Sequence, residues 1–101
     1  MINLKVKKLS GLNKSKGLIG AEKADAVFFE TRFGIHTFGL KFPLDVLILD
    51  NKNIVVKLKE NLKPNRIFLW NPAWNKCIEL TAGEIKKKNI EIGTEINLKS
   101  V

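Results

Sequence analysis

The chain is poor in the residues that most often carry chemistry: 101 residues include one cysteine, one histidine and two arginines. A single thiol, Cys77, excludes an intramolecular disulfide and fits a reducing compartment. One histidine and one cysteine fall short of the four N or S ligands of a zinc site, so no metal is expected. No serine sits in a G-x-S-x-G elbow and no glycine-rich phosphate loop of either standard kind is present, so no cofactor is expected. Long hydrophobic runs are missing too. Nothing approaches the ~20 apolar residues of a spanning helix, and the opening MINLKVKKLSG alternates apolar residues with lysines where a signal peptide needs an unbroken apolar stretch. A soluble, cytoplasmic protein with no membrane partner is the expectation.

What the chain does have is enough apolar material for one core. Hydrophobic residues make up 45% of it, and a domain of this length hides roughly 65% of its unfolded surface. Residues 1–101 are therefore read as a single domain. The net charge of +8 is unevenly spread. Residues 1–20 carry +5 and residues 51–76 another +5, whereas residues 21–50 sum to −2 and residues 77–101 to zero. Such a field can attract nucleic acid or an acidic partner. A solvated surface is the favoured reading, because lysine supplies nearly all of the charge, while base and phosphate readers favour the rigid arginine fork.

Local patterning predicts about six or seven short strands. Asn3 to Lys7 alternates as an edge strand would, and Ser10 to Gly20 is broken by glycines into turns or a short helical piece. Ala26–Phe29 reads as a buried strand, and Leu44–Leu49, apolar on both faces except at Asp45, as a central one. Asp50–Asn53 is a turn leading into Ile54–Lys59, which forms a hairpin with the preceding strand. Arg66–Trp70 and Lys76–Leu80 are further strands separated by the Asn71-Pro72 turn. Thr81-Ala82-Gly83-Glu84 has the form of a capping box, with Lys86–Lys88 at the helix end and Asn89 as its left-handed stop. Ile90–Leu98 alternates around Gly93, which suggests a bulge or tight turn inside a closing strand pair. The fold class is mostly β, α+β at the margin.

The densest stretch is IHTFGLKFPLDVLILD, Ile35 to Asp50. Together with Ile54-Val55-Val56, ENLKP, IELTAG and IEIGTEI, it closely resembles the domain-of-unknown-function 192 family, with the order and spacing of the blocks kept from Gly11 to Leu98. The matching positions are His36, Thr37, Phe38, Gly39, Lys41 to Asp45, Asn61, Pro64, Glu79, Leu80, Ala82 and Gly83. The resemblance implies a compact, mostly β fold, a barrel-like or rolled antiparallel or mixed sheet with one or two short helices. It also implies the short intracellular prokaryotic form. It brings no assigned reaction, so no catalytic role is carried over. Asn65 stands where relatives often have an aromatic, and Trp70 and Trp74 look particular to this chain.

The candidate residues follow from these patterns. Gly39 and Pro43 favour a sharp turn that would gather His36, Lys41 and Asp45; an imidazole beside a carboxylate makes an acid–base pair, and a lysine beside them binds an anion. The plainer alternative is structural: an aspartate at a strand start accepts backbone amides, and a lone histidine fills a hydrogen-bonded niche. Cys77 lies in an apolar strand, where thiols are usually inert. Trp70 and Trp74 lie near Lys63, Arg66 and Lys76, so they can stack bases among cations or plug an open barrel end; plugging is the expectation for Trp70. The leading expectation is a non-enzymatic binding module for an anionic ligand, nucleic acid or protein partner. Its candidate contacts are His36, Thr37, Lys41, Asp45, Asn61, Lys63, Arg66 and Trp74. The alternatives are a small enzyme using His36 and Asp45, and an accessory subunit of a larger complex. A deep pocket over His36 would favour the enzyme, a flat basic face nucleic acid, and an exposed apolar patch a protein partner.

Overall fold

Apolar side chains recur along the short segments between turns, and eight such segments are strands in the computed structural model, which describes residues 1–8 and 26–100. The turns or helical piece expected over Ser10 to Gly20 lie outside those residues. Six strands form one mixed sheet: β1 (Ile2–Lys8), β2 (Ala26–Glu30), β4 (Leu44–Leu49), β5 (Val55–Leu62), β7 (Lys76–Thr81) and β8 (Ile96–Ser100). Their spatial order is β5-β4-β7-β2-β1-β8. The remaining two, β3 (Gly34–His36) and β6 (Ile67–Leu69), pair as a separate antiparallel ribbon. The described helix, α1, is a single turn, Glu84–Lys87.

The long sheet rolls. Its edges approach at the starts of β5 and β8, where Ile54 bridges Glu95, Val55 N–H donates to the Thr94 carbonyl at 2.9 Å and Gly93 N–H to the Val55 carbonyl at 2.8 Å. One bridge draws the edges together without completing a ladder, so the expected barrel-like roll is an open one. Leu44–Leu49 is buried at every position because both of its faces are covered. Leu47 and Leu49 pack inside the roll with Leu4, Phe28, Ile78 and Leu80. Leu44, Val46 and Ile48 face the other way and pack with Phe29, Cys77, Phe68 and Trp70. The residues on that second face come partly from the β3–β6 ribbon, which covers it.

Four local expectations are corrected. β1 is not an edge strand: it lies between β2 and β8, parallel to both. Its alternation reports one buried and one exposed face, which any sheet position can have. β3, three residues long, adds a strand that the patterning does not predict; its Gly34 is required because a Cβ would stand 2.5 Å from the Phe68 carbonyl oxygen and 2.6 Å from a Leu69 methyl. Thr81 ends β7 and does not cap the helix. The N-cap is Gly83, at φ 97°, with no side-chain cap of its own. Over Ile90–Leu98 the tight turn expected around Gly93 is present, with Thr94 N–H donating to the Glu91 carbonyl at 3.0 Å and Gly93 at φ 95°, but the strand is corrected: only the start of β8 falls there. Asn89 does stop the helix at φ 55°.

Candidate functional site

Asp45 opens β4 on the side facing the roll and is fully buried. Its carboxylate accepts three backbone amides: Asn61 N–H at 2.9 Å on Oδ1, and Gly83 N–H at 3.0 Å and Ile85 N–H at 2.9 Å on Oδ2. Asp45 thus supplies from β4, across the sheet, the acceptor for two amides at the start of α1, Gly83 and Ile85; the Glu84 amide that Thr81 was expected to cap is not one of them. Acceptance of amides by a strand-start aspartate is the structural alternative weighed for it, with donors from β5 and α1 in place of the preceding loop.

Thr37 plays the same part at the end of β3, with 1% of its surface exposed. Its hydroxyl donates to the Lys63 carbonyl at 2.7 Å and accepts the Arg66 N–H at 2.9 Å. Its own N–H donates to the Arg66 carbonyl, and its carbonyl accepts the Asn65 and Leu40 N–H groups. The side chain and both backbone polar groups of one residue therefore fix the connection between β5 and β6. Asn61 and Asn65, at φ 54° and 61°, take the left-handed turns that let this connection double back, which asparagine tolerates better than most residues.

Two shallow depressions meet at Asn61, above these ties. One, about 580 Å³, is lined by Glu60, Asn61, Ala82, Gly83, Lys86 and Lys87. The other, about 500 Å³, is lined chiefly by Lys59, Asn61, Lys63, Arg66, Ile67 and Phe68. Five cationic side chains thus face one carboxylate, Glu60. Lys87 and Lys88 approach Glu84 at 4.0 Å and 3.7 Å, a weak restraint for Lys87, which is 78% exposed.

Of the residues singled out in the sequence, the structure brings Asn61, Lys63 and Arg66 together on this surface, with Thr37 and Asp45 beneath it. His36 stands apart from Asp45. It is exposed, its Nδ1 accepts the Phe38 N–H at 3.3 Å, and its ring stacks on Phe38 at 5.0 Å and 22°. Lys41 is exposed on the loop before β4 and lines neither depression. Trp74 packs against the second core and its carbonyl accepts the Trp70 indole N–H at 2.9 Å. Trp70 is buried beside Phe68, filling the layer under the ribbon.

Sequence reasoning missed Glu79. Its register partners Val27 and Val46 both belong to the second core, and burial pushes its carboxyl up to about 7. Cys77 shares that face; burial first, and Glu79 second, hold its thiol well above the ordinary range. An acid framed by Ile78 and Leu80 in an apolar strand was the available signal. Among the described residues no three His, Cys, Asp or Glu side chains group as a metal would need, and no helix is long and apolar enough to cross a membrane.

The sequence model of the DUF192 family, described as an uncharacterised ACR, matches residues 6–98. No functionally curated protein matches the chain. Two solved structures share its fold. A candidate transcription regulator from Sinorhizobium meliloti superposes with a TM-score of 0.70 at 18% identity, covering 87% of this chain and 74% of its own. A protein of unknown function from Novosphingobium aromaticivorans superposes with a TM-score of 0.68 at 16% identity, covering 87% and 69%.

Proposed function

The chain belongs to the DUF192 family, and from that premise we propose that it is a binding module for an anionic ligand, seated on the two depressions that meet at Asn61. The observation that carries this reading is the charge of that surface: Lys59, Lys63, Arg66, Lys86 and Lys87 against Glu60 alone. The side-chain ammonium groups of Lys59, Lys63 and Lys86 make no ion pair or hydrogen bond with the described residues, so their charges are available. The floor is preorganised, because Asp45 and Thr37 hold the backbone of Asn61, Gly83, Lys63 and Arg66 before any ligand arrives. The enzyme reading has less support. Asp45 is occupied by three amides and buried, and among the described residues the hydrogen-bond partner of His36 is a backbone amide, not a second proton-transfer group. The description of one fold neighbour as a transcription regulator adds nucleic acid to the anions worth testing.

The test is a titration with inorganic polyphosphate in 50 mM salt. Binding is expected to weaken at least tenfold in the Lys63→Glu/Arg66→Glu double variant. It should weaken much less in Lys52→Glu/Lys99→Glu, which makes the same change in net charge away from both depressions. Equal weakening in both variants would reduce the effect to net charge, and no binding by the unmodified protein would end the proposal.

A further inference from the structure

We infer that the anion is single-stranded nucleic acid, its phosphates on the cations beside Asn61 and its bases on the outer face of the β3–β6 ribbon; this rests on the anion-binding reading above. The link between the two surfaces is Ile67. It lines the second depression beside Lys63 and Arg66, and across the ribbon it pairs with His36. His36 in turn stacks on Phe38. A path therefore runs from the cations, over Ile67, to a pair of stacked rings. Phe38 is 55% exposed and Ile67 62%, and Leu69, next on the same face of β6, is 61% exposed. Large apolar side chains left in water side by side mark a surface that is covered in use.

Charge decides what covers it. A second copy of this chain would bring a net +8 against the same cations, so self-association is disfavoured. The occupant must be anionic, extended enough to follow cations across both depressions, and able to use flat π surfaces. A single strand has all three properties: its backbone tracks a basic groove while unpaired bases stack on side-chain rings. A duplex keeps its base faces inside its own stack and offers only phosphates. Since the ribbon presents rings and no row of amide or guanidinium groups aimed at base edges, recognition should tolerate most sequences.

The experiment measures fluorescence anisotropy of labelled dT15, with competition by inorganic polyphosphate, a dT15–dA15 duplex and polyglutamate. Five phosphate contacts to a single strand predict a slope of about −3.5 in log K against log salt, so affinity falls about a hundredfold between 100 and 400 mM. Phe38→Ala is expected to weaken dT15 at least fivefold and to change polyphosphate less than twofold, because only bases stack. His36→Ala gives the same readout if Phe38→Ala does not fold. Lys63→Glu/Arg66→Glu weakens both ligands. If dT15 and polyphosphate bind alike, or if the ring variants affect both equally, the nucleic-acid inference is overturned and the anion-binding reading stands. Stronger binding of polyglutamate than of dT15 assigns the surface to an acidic protein and likewise overturns it. Failure of every anion to bind at 50 mM salt removes both.

Discussion

Replacing Glu79 with glutamine should change how stability depends on pH more than it changes stability itself. Glu79 is 7% exposed in β7, between Val27 of β2 and Val46 of β4, and burial raises its carboxyl to about 7 from an ordinary 4.5. A carboxyl whose native pKa is raised keeps its proton in the folded chain while the unfolded chain has lost it. Rising pH therefore favours unfolding between 4.5 and about 7, and the effect is complete above that. At about 1.4 kcal/mol for each pH unit of that window, the native state loses about 3 kcal/mol. Glutamine has nearly the same shape and no proton to lose, so any cost of burying its amide is the same at every pH. Urea unfolding of both proteins at pH 4.5 and pH 8 separates the two contributions. Relative to Glu79→Gln, the unmodified protein should be about 3 kcal/mol less stable at the higher pH than at the lower. For denaturant slopes of about 1–3 kcal/mol/M, that is a relative midpoint shift of about 1–3 M. A stability difference that does not vary between those pH values would refute the burial argument, since it would mean that Glu79 titrates alike in both states.

Asp45→Ala strips the acceptor from three amides in a fully buried site and should cost at least about 3 kcal/mol. Native-state hydrogen exchange should show the loss first at the Asn61, Gly83 and Ile85 amides. Thr37→Val keeps the volume but removes the hydroxyl that joins Lys63 to Arg66, a loss of about 1–3 kcal/mol by chemical denaturation, with the Arg66 amide resonance moving most. The Cys77 thiol, buried and held in its neutral form, should fail to react with a disulfide reagent at pH 8 in the native protein and react fully in denaturing urea. Fast reaction of the native protein would contradict its place in the second core.

What could be read locally was read well. Leu44–Leu49 showed a strand covered on both faces because both alternating positions are apolar, and the structure covers it with the roll on one side and the second core on the other. Asn89 announced the end of α1 because the left-handed conformation is a property of the residue itself. The misses involve partners far along the chain. The threonine and Glu84 are spaced for a capping box, yet the helix starts from Gly83, whose amide and that of Ile85 are accepted by Asp45, some 40 residues earlier. β1 alternates like an edge strand, yet β8 pairs along its side at a separation of more than 90 residues. Phe38 and Ile67 were invisible as surface residues, because apolar side chains are assigned to the interior until topology leaves them outside.

The arrangement of Asp45 and Thr37 separates two tasks that share one segment of sequence. Both side chains hydrogen-bond main-chain groups of the cleft-lining residues: Asp45 holds the amides of Asn61 and Gly83, and Thr37 the carbonyl of Lys63 and the amide of Arg66. Lys63 and Arg66 thus contribute backbone to the scaffold and side chain to the surface. Reversing their charges leaves every one of those hydrogen bonds available. Changing Asp45 or Thr37 removes the bonds and leaves the charges. Charge reversal therefore reads ligand affinity on an intact fold, whereas the buried substitutions alter fold and site together. The dense run from Ile35 to Asp50 accordingly positions the surface proposed to bind anions, which is lined by residues from Lys59 to Phe68 and by Lys86 and Lys87. Its own direct share is the exposed ring pair of His36 and Phe38.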